Sequence, residues 1–459
     1  MSNLSLMVVL LALMAIAYQL GMVRSRKVAA VNPGLRMHSR PHHYGMMVGL
    51  WAVLPAFFIL LAWNWLAPGV IQGMVMAQLP PEIAAQGSNE LRVVMRRIAN
   101  LAGNFGVVSD AQNWELAAAA YLQALNNTSK LLLTGIMAAI AAAGLLAAIR
   151  NINPQLRARH QVERAMRVLL VLCSTIAILT TIGIVLSMVG ETLKFFSFVA
   201  PADFFFGTTW NPRFSTVGVG EQGSFGLVPL MAGTMMIAFI AMLVAIPLGL
   251  MVAIYLAEYA PAKLRNTAKP VIEVLAGIPT IVYGFFALVT VGPFLRDMGM
   301  VIGLDIRATS ALTAGVVMGI MIIPFISSLS DDIITQVPKA MRDGSLGLGA
   351  TKSETIRKVV LPAALPGIVG AILLAVSRAI GETMIVVLAA GNSPSLTANP
   401  FEAVSTVTVT IVNQLTGDND FASPQSLVAF ALGLTLFVIT LLLNVVALVI
   451  VRKYREQYE

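Results

Sequence analysis

The sequence is short of nearly everything from which reactive sites are built. Among 459 residues it has one cysteine, four histidines and only 11% charged side chains. A single Cys173 excludes an intramolecular disulfide, and a lone cysteine inside an apolar run reads as a small buried hydrophobe. His38, His42 and His43 lie close together, but no fourth ligand stands near, so they read as part of a solvated loop and no metal is expected. No G-x-x-x-x-G-K-[ST] occurs. The nearest fragment, Gly349-Ala350-Thr351-Lys352-Ser353, lacks the glycine before the lysine, so the chain is not expected to hydrolyse ATP, to be an enzyme or to carry a cofactor. The formal G-x-G-x-x-G at Gly218–Gly223 lies between two apolar runs with no βαβ context, which excludes a dinucleotide site.

What is abundant is apolar length. Hydrophobic residues make up 58% of the chain, and a run of about 20 such residues spans a bilayer as one helix. Nine runs qualify, at 4–23, 45–67, 131–149, 168–190, 226–256, 271–295, 308–330, 363–390 and 427–451. The reading is an all-α polytopic membrane protein with about nine transmembrane helices. The first run lacks a basic flank and a small-residue cleavage site, so it reads as a retained helix.

The net charge of +8 does not point to nucleic acid, because the basic residues follow the membrane pattern. One alternating set of loops holds the larger share, including Arg24, Arg26, Lys27, Arg150, Arg157, Arg159, Lys263, Arg265, Lys269, Lys339, Arg342, Arg452 and Lys453. Loops of that kind face the cytoplasm. The N-terminus is therefore expected outside and the C-terminus inside.

Two regions divide the chain. Residues 1–165 hold three spans and an extracytoplasmic segment, 68–130, in which Leu91, Val94, Ile98 and Leu101 have helical spacing. Residues 166–459 hold six spans and the chemically informative motifs. The run 363–390 is interrupted only by Arg378 and Glu382. An intramembrane guanidinium is costly and is a functional-site candidate by default. Four residues apart, Arg378 and Glu382 would share one face of a helix. A fixed cation in a membrane path suits an anionic cargo, and a neighbouring Glu382 would keep that grip weak enough for release. The competing reading is a structural ion pair. Thr280, after Pro279, lies where a broken helix can turn a hydroxyl toward a cavity; a simple kink is the alternative. Glu273 reads as an interfacial anchor.

The loop 331–362 carries the most specific pattern. Pro338 opens a short helix, Gly347 and Gly349 end it, Thr351 and Glu354 form a capping box for a second helix, and Pro362 stops that one. Ala340, Gly344 and Gly347 give one side a small-residue face. The motif Asp343-Gly344-Ser345, then Gly349, then Val359-x-Leu361-Pro362 resembles the coupling signature of ABC-importer permeases, with Asp and small residues where the family has E-A-A. Ala257-Glu258-Tyr259, Leu275–Gly284 and Arg378-Ala379-Ile380-Gly381-Glu382-Thr383-Met384 are similar to the phosphate-specific members, and nearer to one of the two sister permeases of such a system.

The resemblance covers about 166–452 and implies a six-helix permease core whose loop 331–362 docks on an ATPase. It implies a second homologous permease subunit, two ATPase subunits and an extracytoplasmic phosphate-binding protein as partners, with Arg378, Glu382, Thr383 and Thr280 along the substrate path. Alternatives are the sister permease, a permease for molybdate or phosphonate, a self-sufficient secondary anion carrier, and an added role in reporting phosphate supply. No function is carried onto 1–165.

Overall fold

In the computed structural model, residues 3–31, 37–84, 88–103, 112–212, 223–417 and 423–455 are described. The glycine fingerprint at 218–222 lies outside them, as do Arg36 and Arg213. The described residues contain nine helices long and apolar enough to cross a membrane. By contacts the chain forms two units, Met1–Ile178 and Leu179–Glu459.

The first unit is built from α1 (Asn3–Val31), α2 (Pro41–Met76), the amphipathic α3 (Ser88–Ala102), α4 (Asn113–Arg150) and the start of α5 (Ala158–Phe196). Small residues let its helices approach closely. A Cβ added at Gly144 of α4 would lie 2.2 Å from the carbonyl oxygen of Trp51 on α2. Ile98 of α3 is fully buried, with Leu91, Val94 and Leu101 packed against the same cluster. His42 and His43 begin α2 rather than lying in a loop, and Tyr18 Oη is 2.8 Å from His42 Nδ1.

α5 runs through the boundary between units. Its most apolar window has 0% of its residues buried, so in a bilayer this side meets hydrocarbon or another subunit rather than water. Cys173 sits on it and is exposed, not buried as the composition suggested.

The second unit follows with α6 (Val228–Tyr259), α7 (Ala262–Ala276), α8 (Thr280–Ile302), α9 (Ala311–Gln336), α10 (Lys339–Gly347), α11 (Lys352–Ile380), α12 (Met384–Ala389), α13 (Val407–Gly417) and α14 (Pro424–Arg455). α9 is the central helix, with 61% of its window buried. Met318, Ile322 and Ile326 pack there against Ala241, Ala375 and Ala379. Ahead of α6, Trp210–Asn211 pairs antiparallel with Ser224–Phe225, and Phe195, Phe204, Trp210 and Phe225 stack edge to face.

Three local expectations change. The run 271–295 is not one span: Gly277 and Pro279 break it, so α7 ends at Ala276 and the membrane-length helix starts at Thr280. Pro362 does not stop a helix. α11 runs from Lys352 to Ile380 through a π turn at Ile356–Val360. A second π turn, Ala287–Val291, likewise precedes a proline, Pro293. Proline lacks an N–H and crowds the carbonyl four residues back, and a widened turn just before it relieves both. The run 363–390 is also broken, since α11 ends at Ile380 and Gly381 forms its C-cap.

Candidate functional site

The break at Gly381 reorganises the Arg378 region. Arg378 is in the last turn of α11 rather than mid-helix. Unpaired carbonyls at a helix C-terminus favour a cation there, which reduces the cost of keeping a guanidinium in the membrane. Its side chain is exposed, with its Cζ 6.0 Å from the centre of the Phe325 ring on α9.

The helical break removes Glu382 from the arginine's face. The two make no ion pair, contrary to the i, i+4 expectation. Glu382 is 9% exposed. Its Oε1 accepts from the Met384 backbone N–H at 3.2 Å, and its backbone carbonyl accepts from the Thr408 hydroxyl at 2.9 Å. The carboxylate therefore starts α12. Thr383 Oγ1 donates back to the Gly381 carbonyl at 3.3 Å. A cation at the end of one helix, the turn at Gly381, Glu382 and Thr383, and the start of a second short helix together form a discontinuous helix, a geometry suited to binding ions within a membrane.

Thr280 opens α8, the helix that packs on α12. It is half-buried at the start of α8. α8 packs so closely on α12 that a Cβ added at Gly284 would lie 2.9 Å from the Met384 carbonyl oxygen. Tyr283 Oη donates to the Leu275 carbonyl at 2.9 Å and latches α8 to the end of α7 across the break. Ser405, Thr406, Thr408 and Thr410, at and before the start of α13, are buried hydroxyls facing this region's core. The motif reading missed them because they lie outside the long apolar runs.

The second site is the knob at α10. It ends as its glycines demand: Gly347 is its last residue, and Gly349 takes φ +88, a left-handed conformation that a side chain strains. The capping box forms, with Thr351 N–H donating to Glu354 Oε2 at 2.9 Å and Glu354 N–H donating to Thr351 Oγ1 at 3.3 Å. Ser345 and Thr355 join the two helices through their hydroxyls at 2.9 Å. Asp343 and Gly344 are exposed, and a Cβ added at Gly344 or Gly347 meets nothing within 4 Å. Leu348, at the tip, is 92% exposed. Leu361 and Pro362 lie in α11, with Leu361 packed against a buried cluster that includes Ile334 and Val360.

Charged contacts invisible in the motifs fix this knob. Arg342 donates from Nε and Nη2 to Glu258 Oε1 at 3.1 and 3.0 Å, and to the carbonyls of Val337 and Ile334 at 2.6 and 2.7 Å. Lys352 stands 5.0 Å over the Tyr259 ring. The tripeptide Ala257-Glu258-Tyr259 thus holds both ends of the knob from α6.

α7 has no buried residue and is tied to α9 by charge instead. Asp331 is fully buried. It accepts from Arg265 at 3.0 and 3.1 Å and from Lys269 at 2.7 Å, and Lys269 also donates to Asp332 at 2.7 Å. Hydrogen bonds to Asp331 first and Asp332 second push the Lys269 pKa above its ordinary value, so it stays charged through the neutral range. Glu273, taken as an interfacial anchor, accepts from Ser328 at 3.3 Å and extends the same seam. The signal for this network was an acidic pair, Asp331-Asp332, at the end of a span opposite Arg265 and Lys269. Removing one partner of a buried pair leaves the others uncompensated. Asp331→Ala is expected to destabilise the protein by about 3 kcal/mol, read as a lower unfolding temperature in detergent. An unchanged temperature would exclude Asp331 as the anchor of α7.

Comparison with known proteins identifies the family. Residues 245–456 match the family described as binding-protein-dependent transport system inner membrane component. Residues 7–180 match a second family, described as phosphate ATP-binding cassette transporter. The N-terminal region, onto which sequence motifs placed no function, therefore has a family of its own. A probable ABC transporter permease protein of Bacillus subtilis, YqgH, is 34% identical over 60% of this chain and 86% of its own length. Phosphate transport system permease protein PstC of Mesorhizobium japonicum is 36% identical over 52% of this chain and 75% of its own. That of Haemophilus influenzae is 33% identical over 58% and 84%.

The chain belongs to the binding-protein-dependent ABC importer permeases. Within that class it is a PstC-like permease subunit, a multi-pass protein of the inner membrane.

Proposed function

We propose that this chain forms half of the translocation path of an ATP-driven phosphate importer. Arg378 is the observation that carries the reading. It is an exposed cation in the last turn of α11, beside a break in the helix. Its guanidinium meets phosphate by a charge-assisted, two-pronged contact. Thr383 and Thr280 are the hydroxyls that this reading assigns to the same path. Glu382 acts by shaping the turn rather than by pairing with the arginine. Asp343, Gly344, Ser345 and Gly349 present the knob to the ATPase, with Leu361 and Pro362 fixing its base.

The partners in this reading are a homologous PstA-like permease, two PstB-like ATPase subunits and a PstS-like extracytoplasmic phosphate-binding protein. The N-terminus lies outside and the C-terminus in the cytoplasm, as the basic loops favour. The partner ATPase hydrolyses the ATP, so in this reading the chain needs no ATPase site of its own. The test is uptake of labelled phosphate by vesicles holding the whole assembly, with unlabelled phosphate, molybdate or phosphonate in competition. Phosphate is expected to compete best; stronger competition by molybdate would reassign the cargo.

Residues 1–165 are proposed as accessory to transport itself. A chain beginning at Arg150 keeps basic residues that orient the next span. With its partner subunits it is expected to insert, assemble and retain substantial phosphate uptake. Normal assembly with no uptake would make the N-terminal unit part of the mechanism.

A further inference from the structure

The N-terminal unit contains a groove between one face of α2 and the first turns of α5, with a volume of about 460 Å³. Its lining recurs at helical spacing on both walls: Trp51, Pro55 and Phe58 on α2, and Arg164, Val168 and Leu172 on α5. The walls are tied at one end. Tyr44 is fully buried and its hydroxyl donates to the Leu156 carbonyl at 2.9 Å. The Arg159 N–H donates to Ser39 Oγ at 3.3 Å, and Ala158 and Val162 pack in the same cluster as Tyr44. On α5 that packed cluster ends at Val162. Beyond it the two walls stay open: Trp51 is 54% exposed and Val168 60%.

The groove is graded from polar to apolar. Gln161 and Arg164 line its end nearest the start of α5. The neighbouring Arg159 is spent on Glu163 at 2.6 Å, whereas among the described residues Arg164 makes no ion pair and the Trp51 indole N–H has no acceptor. Farther along α5 the lining is only apolar, with Leu169 and Leu172 facing Leu54 and Phe58 of α2. Depth in the bilayer follows from the apolar runs 45–67 and 168–190, since Arg164 and Arg167 are the last charges before the second of them. Trp51 has the amphipathic ring that favours the membrane interface. Leu172 is eight residues past Arg164, about 12 Å along a helix that rises 1.5 Å per residue. The groove therefore runs from headgroup level inward, beside the acyl chains of one leaflet.

We propose that this groove binds one anionic phospholipid, with its phosphate on Arg164 and the Trp51 indole N–H and one acyl chain along Phe58, Leu169 and Leu172. A free inorganic anion would leave the apolar length unfilled. An uncharged apolar molecule would leave the guanidinium without a counter-charge. A lipid that carries both parts is the occupant that matches both ends. The cytoplasmic leaflet follows from the orientation proposed above; the groove itself depends neither on that orientation nor on which anion is transported.

The test is native mass spectrometry of the full-length protein in mild detergent, with phosphatidylglycerol or phosphatidylcholine added at equal concentration. Bound phosphatidylglycerol is expected to exceed phosphatidylcholine about fivefold, the effect of one basic residue at a membrane surface, and Arg164→Gln to abolish that preference. Arg167→Gln removes the same charge from a residue that does not line the groove, and is expected to leave the preference intact. Leu172 is 40% exposed, so Leu172→Trp fills the apolar end without entering a packed core; it is expected to lower occupancy by both lipids. Equal phosphatidylglycerol binding by wild type and Arg164→Gln would overturn the proposal, as would equal losses in Arg164→Gln and Arg167→Gln. So would undiminished binding by Leu172→Trp. Displacement of the lipid by millimolar inorganic phosphate would also overturn it and assign Arg164 to the free anion.

Discussion

Replacing Arg378 by lysine should lower ATP-driven phosphate uptake about tenfold although the charge is kept, equivalent to about 1.4 kcal/mol. Lysine is a compact, strongly hydrated point charge, whereas arginine offers a fixed fork of donors that matches two phosphate oxygens at once. Phe325, 6.0 Å from the guanidinium, gives a flat surface over which the arginine can swing without an anchoring carboxylate. An arginine free of a carboxylate anchor can meet an incoming anion and still release it, because only one charged residue makes the contact. The measurement is uptake of labelled phosphate by membrane vesicles containing the variant and its partner subunits. Uptake at the wild-type rate and affinity would remove Arg378 from the path. Glu382→Gln separates the two candidates: it weakens the start of α12 without touching Arg378, so it should lower the amount of assembled protein more than the affinity for phosphate.

Gly344→Trp should abolish co-purification of the ATPase subunit while leaving the permease folded. An added Cβ at Gly344 meets nothing within 4 Å in the protein itself, so the indole has no clash to resolve until a partner approaches. Binding is expected to fall at least about tenfold. Asp343→Lys, at an exposed position of the same helix, should weaken binding less. Gly349→Trp is a poorer test, because φ +88 makes any side chain there a strain on the turn itself. Wild-type recovery of the ATPase with Gly344→Trp, together with normal ATP-driven uptake, would exclude the knob as the docking element.

Much of this architecture could be read from the chain because membrane spans are written in continuous runs. Each apolar run of the sequence overlaps one of the long helices, and α3 follows the spacing of Leu91, Val94, Ile98 and Leu101. The knob was legible for a different reason: glycines and a capping box act within a few residues, so their effect is local. The breaks were harder. Gly381 sits among apolar residues where a continuous helix is equally compatible with the composition, and the turn is held partly by contacts distant in sequence, Thr408 on the Glu382 carbonyl and α12 against α8. Pro362 looked like a stop because a proline inside an α-helix costs a hydrogen bond, yet the π turn before it lets the span continue. Arg342 with Glu258, and Asp331 with Arg265 and Lys269, join residues that are far apart in sequence, so no local pattern announces them.

The broken helix also changes how the site is understood. With Arg378 and Glu382 on one helical face, the simplest picture is a buried ion pair. With α11 ending at Ile380, the carboxylate is spent on the first turn of α12 and the guanidinium remains exposed. The same two residues therefore divide into one that shapes the turn and one whose guanidinium stays exposed beside it.

The most direct test of the whole account is labelled phosphate uptake into vesicles containing this chain alone, compared with vesicles containing the chain, its homologous permease, the ATPase and the phosphate-binding protein. The account predicts uptake only in the complete assembly, only with ATP, and lost with Gly344→Trp. Uptake by this chain alone, indifferent to ATP, would contradict it and make the protein a self-sufficient anion carrier.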